Sequence, residues 1–447
     1  MSTYVAGVDL GSTSIKILIA DADADCAEVL VEQRPTPWRA ARDGRTELDA
    51  DRFVAVVIEL FQAATARLGQ HRVAAIALSG MGETGILVDA DGQPAAPGIA
   101  WFDPRGAAEL SALRAEFGDE FPARTGLPLG VQVSAVKLAS LATDGLRLDA
   151  LRWQNLPDFL AFVLCGSVRL DSSLTSRTGL LDQDTGSAWP QLLTRLGVGP
   201  GFLPPVVDAG VSRGRADAAW LPAAFVGAEV CVAGHDHLVS SLAGGVTADD
   251  RYHASLGTAE VLLRVLDAPL PAPARVRLAR YFINCVRHVV PGTWVLVAGV
   301  KTGLLQRRVL QLAGIGDRAG RDALDAAVLA LPVEGALEPG AIEVRGARND
   351  DGVLGLTIRG DGADPAEVFA AVLRHGNDEI ARLIEALDRE LPPARATVLT
   401  GGWAGMRSVA RARARVLPDV SVSAREQETA HGAALFAARL IGAPARR

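Results

Sequence analysis

The chain has 447 residues, a length that suggests two or three domains around a large buried core. Hydrophobic residues make up 49% and the formal net charge is −7, which argues against disorder and against a nucleic-acid-binding footprint. Cys26, Cys165, Cys231 and Cys285 are far apart and form no C-x-x-C pair, so neither a disulfide framework nor a zinc or iron–sulfur ligand set is indicated. The opening "MSTYVAGVDLG" lacks the charged and long apolar regions of a signal peptide, and no apolar run approaches the roughly 20 residues of a membrane span. The expectation is a soluble, cytoplasmic protein in a reducing compartment, with neither nucleic acid nor membrane as partner. A homodimer stays open.

Residues 4–10, "YVAGVDL", read as a buried strand. "SIKILIADA" and "EVLVEQR" read as two more strands joined by tight turns, an antiparallel meander. "DADRFVAVVIELFQAATARLG" has apolar residues at helical spacing, and "RVAAIALSG" is another apolar strand. The order β-β-β-α-β describes a mixed α/β unit. Residues 106–195 read as mostly helical, and the Pro- and Gly-bearing stretch 205–230 reads as a surface crossing. "AEVCVAG" then predicts a strand and "HDHLVSSLAGG" a helix. At 251 the opening pattern returns: "HASLGTAEVLLRV" has the strand, Leu-Gly-(Ser/Thr) turn and strand of "GVDLGSTSIKILIA". This weak internal repeat marks a second, similarly built domain and sets a boundary near 245–250. The chain closes on "ATVLTGGWAG", a strand and Gly-rich turn, and on the Ala-rich helix "ETAHGAALFAARLIGA".

Three glycine turns carry candidate chemistry. In "DLGSTSIK", Gly11 permits close backbone approach, Ser12 and Thr13 offer N–H and hydroxyl groups to phosphate oxygens, and Asp9 is placed to orient a hydrated Mg²⁺. Lys16 closes the motif and is one of only three lysines. The plain alternative is an ordinary hairpin turn. "SLGT" is the matching turn, with Gly257 and Thr258; Ser255 stands where Asp9 stood. "TGGWAG" places Gly401, Gly402 and Trp403 after a strand, where glycines can pack flat on a planar adenine. Taken alone, a strand-to-helix turn is the better reading of that segment.

These turns, in this order, resemble the actin-like, two-domain ATPase superfamily. Further motifs resemble those of the FGGY carbohydrate kinases: "SGMGETGILVDADGQPAAPGIAWFDPRG" the sugar-binding segment, "LPDFLAFVLCGSVRLDSSLTSRTGLLDQDTGSAW" the mid-domain stretch, and "GHDHLVSSLAGG" the catalytic motif. The resemblance implies two actin-like (ribonuclease H-like) domains, 1–246 and 247–447. Each would be a mixed sheet flanked by helices, with a cleft between them. It implies ATP and Mg²⁺, and phosphoryl transfer to a sugar such as a pentulose, or alternatively to a polyol. A non-catalytic regulator on the same fold is a weaker alternative. The family pattern is not matched everywhere. Ser140 stands at a tryptophan position after Lys137. Gly80-Met81-Gly82 replaces the Gln-Met-His of many xylulokinase-like members, and Gly82-Glu83 the Arg-Glu of glycerol-kinase-like ones.

The implied sugar contacts are Met81, Gly82, Glu83, Trp101, Asp103 and Arg105, with Asp158 and Asp236. Glu83 and Asp103 are acceptors suited to hydroxyl groups, and Trp101 can cover the C–H face of a sugar. A buried tryptophan beside a surface Asp–Arg pair is the plain alternative, and the W-x-D-x-R pattern of the family outweighs it. Gly82 is expected to leave room for a bulkier substrate. In "GHDH", His235 and His237 do not share a face with Asp236 on a strand and diverge on a helix, so a metal triplet is disfavoured. A strand ends at Gly234 and a helix follows, which puts Asp236 at the positive end of a helix dipole. There it serves as a helix cap, as the catalytic base of a kinase, or as both; the resemblance favours the base and adds a share in binding Mg²⁺.

Overall fold

Two six-stranded sheets organise the protein. This computed structural model describes residues 2–247, 249–332, 340–348, 353–359 and 363–443. The first sheet contains β1 (Tyr4–Leu10), β2 (Ser14–Asp21), β3 (Ala27–Pro35), β4 (Val73–Gly80), β5 (Ser212–Arg215) and β6 (Glu229–His235). Its order is β3-β2-β1-β4-β6-β5. The first three strands form the expected meander, and β4 and β6 add in parallel. β1 is buried at every position after Tyr4, the continuous apolar pattern of a central strand covered on both faces. The helix between β3 and β4, α1 (Ala50–Leu68), starts where Asp49 accepts a hydrogen bond from the Arg52 N–H at 2.8 Å.

The second sheet contains β7 (Arg251–Leu256), β8 (Glu260–Leu266), β9 (Asn284–Arg287), β10 (Trp294–Val300), β11 (Ala396–Thr400) and β12 (Val420–Val422). Its order is β9-β10-β8-β7-β11-β12. Strands β10-β8-β7-β11-β12 repeat β3-β2-β1-β4-β6 in order and direction: two antiparallel steps, then two parallel ones. The faint repeat in the sequence is therefore a repeat of topology.

One difference from the sequence reading lies at 205–230. Ser212–Arg215 forms an edge strand on the first sheet, antiparallel to β6, and its Arg213 is buried. Isolated charged and glycine residues there hid the strand. Another feature concerns the end of the chain. The helix α4 (Glu428–Leu440) packs on the first sheet, sharing an apolar core with Val5, Ala75 and Cys231. Gly7 allows this: a Cβ there would collide with the Ala430 carbonyl oxygen of α4. The segment 247–447 thus supplies one layer of the first sheet. The other face of that sheet is covered by α1 through Phe53, Leu60 and Phe61. Among the described residues no helix is long and apolar enough to cross a membrane.

Candidate active site

Strand register assembles the site. Asp9 on β1 lies beside Ser79 on β4, and Ser79 lies beside Gly234 on β6. Asp9, Met81–Glu83 and His235–Asp236 therefore emerge together at the carboxyl ends of three adjacent parallel strands, where open α/β sheets place their ligands. Ser79 Oγ ties two of these ends by donating to the Gly234 carbonyl at 3.0 Å.

Asp236 is the first residue of α2 (Asp236–Ala243), as expected, and its Oδ1 accepts from the His237 N–H at 2.7 Å. Asp9 is buried, 7% exposed. Lys16 Nζ stands 4.0 Å from its Oδ2, while Oδ1 is buried with no partner. Burial pushes the Asp9 pKa up to about 7; Lys16 opposes the rise and Asp236 adds to it. Two carboxylates that repel each other, one with a bare buried oxygen, fit a hard cation. Among the described residues no group of three or more His, Cys, Asp or Glu side chains could hold a metal ion, so Asp9 and Asp236 would hold a hydrated Mg²⁺ by two carboxylates at most.

Glu83 adopts φ 62°, a left-handed conformation that a glutamate rarely takes. Arg177 holds the strained residue by its side chain, with Nε 2.8 Å and Nη2 2.5 Å from Oε1. Ser134 Oγ holds its carbonyl at 2.7 Å. Burial raises the Glu83 pKa; Arg177 opposes and Asp236 reinforces the shift. Beside it, Gly82 does not leave the expected space. The His235 imidazole fills it: a Cβ on Gly82 would lie 2.7 Å from His235 Cδ2. The missing side chain of one strand end is replaced by the side chain of another. Burial, with Arg177 and His237 nearby, depresses the His235 pKa well below the usual value, so this imidazole is neutral.

The other predicted sugar contacts divide. Trp101 is half-buried, and its ring meets Phe102 edge-on at 5.4 Å. Asp103 is fully buried, with both oxygens occupied by Arg105, the Arg105 N–H and the Thr46 N–H. Burial raises its pKa, but those hydrogen bonds outweigh it and hold the carboxyl below the usual range. Lys137 donates to the Asp103 and Arg105 carbonyls, and burial lowers its own pKa to about 8. The surface Asp–Arg pair expected as the plain alternative is thus a buried brace. Asp158 is also fully buried. It pairs with Arg213 at 3.0 Å and accepts from Asn155 and the Asp171 N–H, so internal partners take its oxygens.

A model of the FGGY family of carbohydrate kinases, N-terminal domain, matches residues 4–243. The chain belongs to the FGGY family. Its relatives include the glycerol kinase of Rhodospirillum centenum, 32% identical over 229 residues, 48% of this chain and 45% of that protein. The autoinducer-2 kinase of Escherichia coli is 28% identical over 302 residues, 65% of this chain and 55% of that one. The chain spans about half the length of the curated relatives it matches. A solved xylulose kinase from Lactobacillus acidophilus shares the fold, with a TM-score of 0.86 at 17% identity over 99% of this chain and 90% of that one. The matched FGGY segment contains Asp9, Glu83 and Asp236.

The two remaining glycine turns lie at strand ends of the second sheet. Gly257 and Thr258 join β7 to β8, and Arg307 of α3 (Thr302–Leu312) donates to Thr258 Oγ1 at 3.0 Å. Gly401 has φ +86°, and a Cβ there would meet the Leu256 carbonyl oxygen at 2.6 Å, so only glycine fits. Gly402 faces open space. Trp403 turns toward the core and packs near buried Phe369, centroids 6.2 Å apart.

Several site residues escaped the sequence reading. Trp38 Nε1 donates to the Ser12 carbonyl at 2.7 Å, and Thr36 Oγ1 donates to the Gly11 carbonyl at 2.6 Å. Together they brace the first glycine turn, with Gly11, Ser12 and Thr13, from a short neighbouring hairpin. Arg177 reaches Glu83 from 94 residues along the chain, a pairing that nothing in "SSLTSRTG" announces. Nothing local in "PTPWRA" signals the Trp38 contact, which depends on β3 returning beside the turn.

Proposed function

We propose that the chain is an ATP-dependent carbohydrate kinase that transfers the γ-phosphate to a hydroxyl of a sugar, best a ketose such as a pentulose. The observation that carries this reading is the register that sets Asp9 and Asp236 at the ends of the two strands flanking β4, whose own end leads to the Glu83–Arg177 pair. Asp236 accepts the proton of the attacking hydroxyl, held rigid at a helix start. Glu83 accepts from substrate hydroxyls, its carboxylate fixed by Arg177. Trp101 covers the apolar face of the sugar. Residues 11–13 and 257–258 offer N–H and hydroxyl groups to phosphates, and Gly401 and Gly402 leave a flat surface for adenosine. Asp9 and Asp236 would hold a Mg²⁺, which when bound would supply neutralisation of phosphate charge. Asp103 and Arg105 act here by holding the substrate segment in shape.

A polyol substrate is the second reading, favoured by the relatives named glycerol kinase. An ATP-coupled screen over pentuloses, hexuloses and alditols separates the two. With the best acceptor, Asp236→Asn is expected to lower kcat about a thousandfold. An asparagine variant at full rate refutes the base assignment.

A further inference from the structure

Glu428 opens α4 and is 6% exposed. Its Oε2 accepts from Ser240 Oγ at 3.1 Å and lies 3.4 Å from His253 Nε2. The same Nε2 lies 3.3 Å from Thr400 Oγ1. Each of these partners sits on an element that leads to a part of the candidate site. Ser240 is one turn along α2, the helix that begins with Asp236. His253 is on β7, which runs into the 257–258 turn. Thr400 ends β11, directly before Gly401. Two further contacts hold α2 to the same region: Arg425 donates to the Ala243 carbonyl at 2.9 Å, and a Cβ on Gly432 would lie 2.6 Å from the Val239 carbonyl oxygen.

The charge state makes this node unusual. Burial lowers the His253 pKa, against the pull of Glu428, so the imidazole is neutral. Its Nε2–H then faces the carboxylate, and Nδ1 is buried with no partner. For Glu428, burial raises the pKa, but hydrogen bonds from His253, Ser423 and Ser240 outweigh it and hold the carboxyl below its usual range. Its second oxygen, Oε1, is buried without a partner. The donors around this buried anion are neutral groups, and the net lowering of its pKa means that the site favours the carboxylate over a neutral side chain. The carboxylate does supply a directional link between the base helix and two strand ends of the other sheet.

We propose that Glu428 is a positioning residue for phosphoryl transfer, setting the helix that carries Asp236 in register with β7 and β11, which carry the two nucleotide turns. The proposal rests on the kinase reading above. In-line attack is sensitive to placement: a shift of about 1 Å costs on the order of a hundredfold in rate.

The test compares wild type, Glu428→Gln, Ser240→Ala and the double variant, using full-length protein, MgATP and the best acceptor from the screen. Glu428→Gln is expected to lower kcat about tenfold to a hundredfold, with the acceptor KM within about twofold. Its melting temperature should fall by less than about 4 °C, because glutamine keeps the side-chain shape and one acceptor oxygen. The double variant should be no slower than Glu428→Gln alone, since both changes cut one linkage. A Glu428→Gln protein with wild-type kcat overturns the proposal, as does one whose rate loss merely tracks a fall in melting temperature. A wild type that phosphorylates no sugar or polyol removes the kinase reading and this proposal together; an active wild type with an indifferent Glu428→Gln removes the proposal alone.

Discussion

The two halves carry the same hairpin at the centre of the same sheet, and they use a carboxylate there in opposite ways. In the first, Asp9 ends near an exposed turn, with Lys16 at 4.0 Å and one oxygen bare. In the second, Ser255 takes the place of Asp9, and the nearby acid is Glu260, which pairs across the ladder with Leu256. Glu260 is 3% exposed and wholly committed. Thr302 Oγ1 at 2.5 Å, Gln306 Nε2 at 3.0 Å and the Arg413 guanidinium at 2.6 and 2.7 Å all donate to it. An incompletely satisfied buried acid costs stability and invites a ligand; a fully satisfied one fixes the scaffold. One topology thus holds a chemical group in one copy and an anchor in the other.

That contrast breaks most clearly at the two turns. Asp9→Asn is expected to reduce kcat a hundredfold to a thousandfold, as loss of one preorganised charge typically does. Ser255→Ala should cost no more than about tenfold, since its hydroxyl carries no charge. Equal losses in steady-state assays would abolish the asymmetry.

Stability should reverse the ranking. Glu260→Gln leaves Arg413 buried without its anion and should destabilise the fold by about 3 kcal/mol in urea unfolding. Lys16→Met, the counterpart cation of the first copy, is partly exposed and should change stability by less than about 1 kcal/mol. A large loss at Lys16 would mean that the first pair also serves the fold.

A pH measurement sharpens the comparison further, at the contact between the halves. His288, beyond β9, is 2% exposed and 3.4 Å from Ser241 of α2. Burial lowers its pKa to about 4. The unfolded imidazole takes up a proton near pH 6.5 and the folded one does not, so its contribution holds above 6.5 and is lost as pH falls toward 4. At the acid end the loss reaches roughly 3 kcal/mol. His288→Gln should flatten that part of the pH–stability curve; an unchanged slope would assign the acid sensitivity to other groups.

Much of this was legible in order along the chain. The meander, the second β-β hairpin and the start of α2 at Asp236 all follow from local patterns: apolar runs, small turn residues and an acid before a helix. The strand end at Gly80 marked the substrate segment, but it did not show what fills the space beside Gly82. That answer sits over 150 residues away in His235. Asp158 and Asp103 read as acceptors for a sugar because residue type alone does not reveal burial, and the fold encloses both with arginines.

Local backbone preference and hydrophobic periodicity are properties of short windows, and they were enough to specify strands, turns and the place of Asp236 at a helix start. Pairings between distant segments depend on how the sheets stack and where the chain returns. The tertiary structure alone therefore decided that Arg177 holds a strained Glu83, that Trp38 braces the first glycine turn, and that the last helix crosses back to seal the first sheet and bring Glu428 to Ser240. Each is a contact of long sequence separation, made only when a packed core leaves that one place for the side chain.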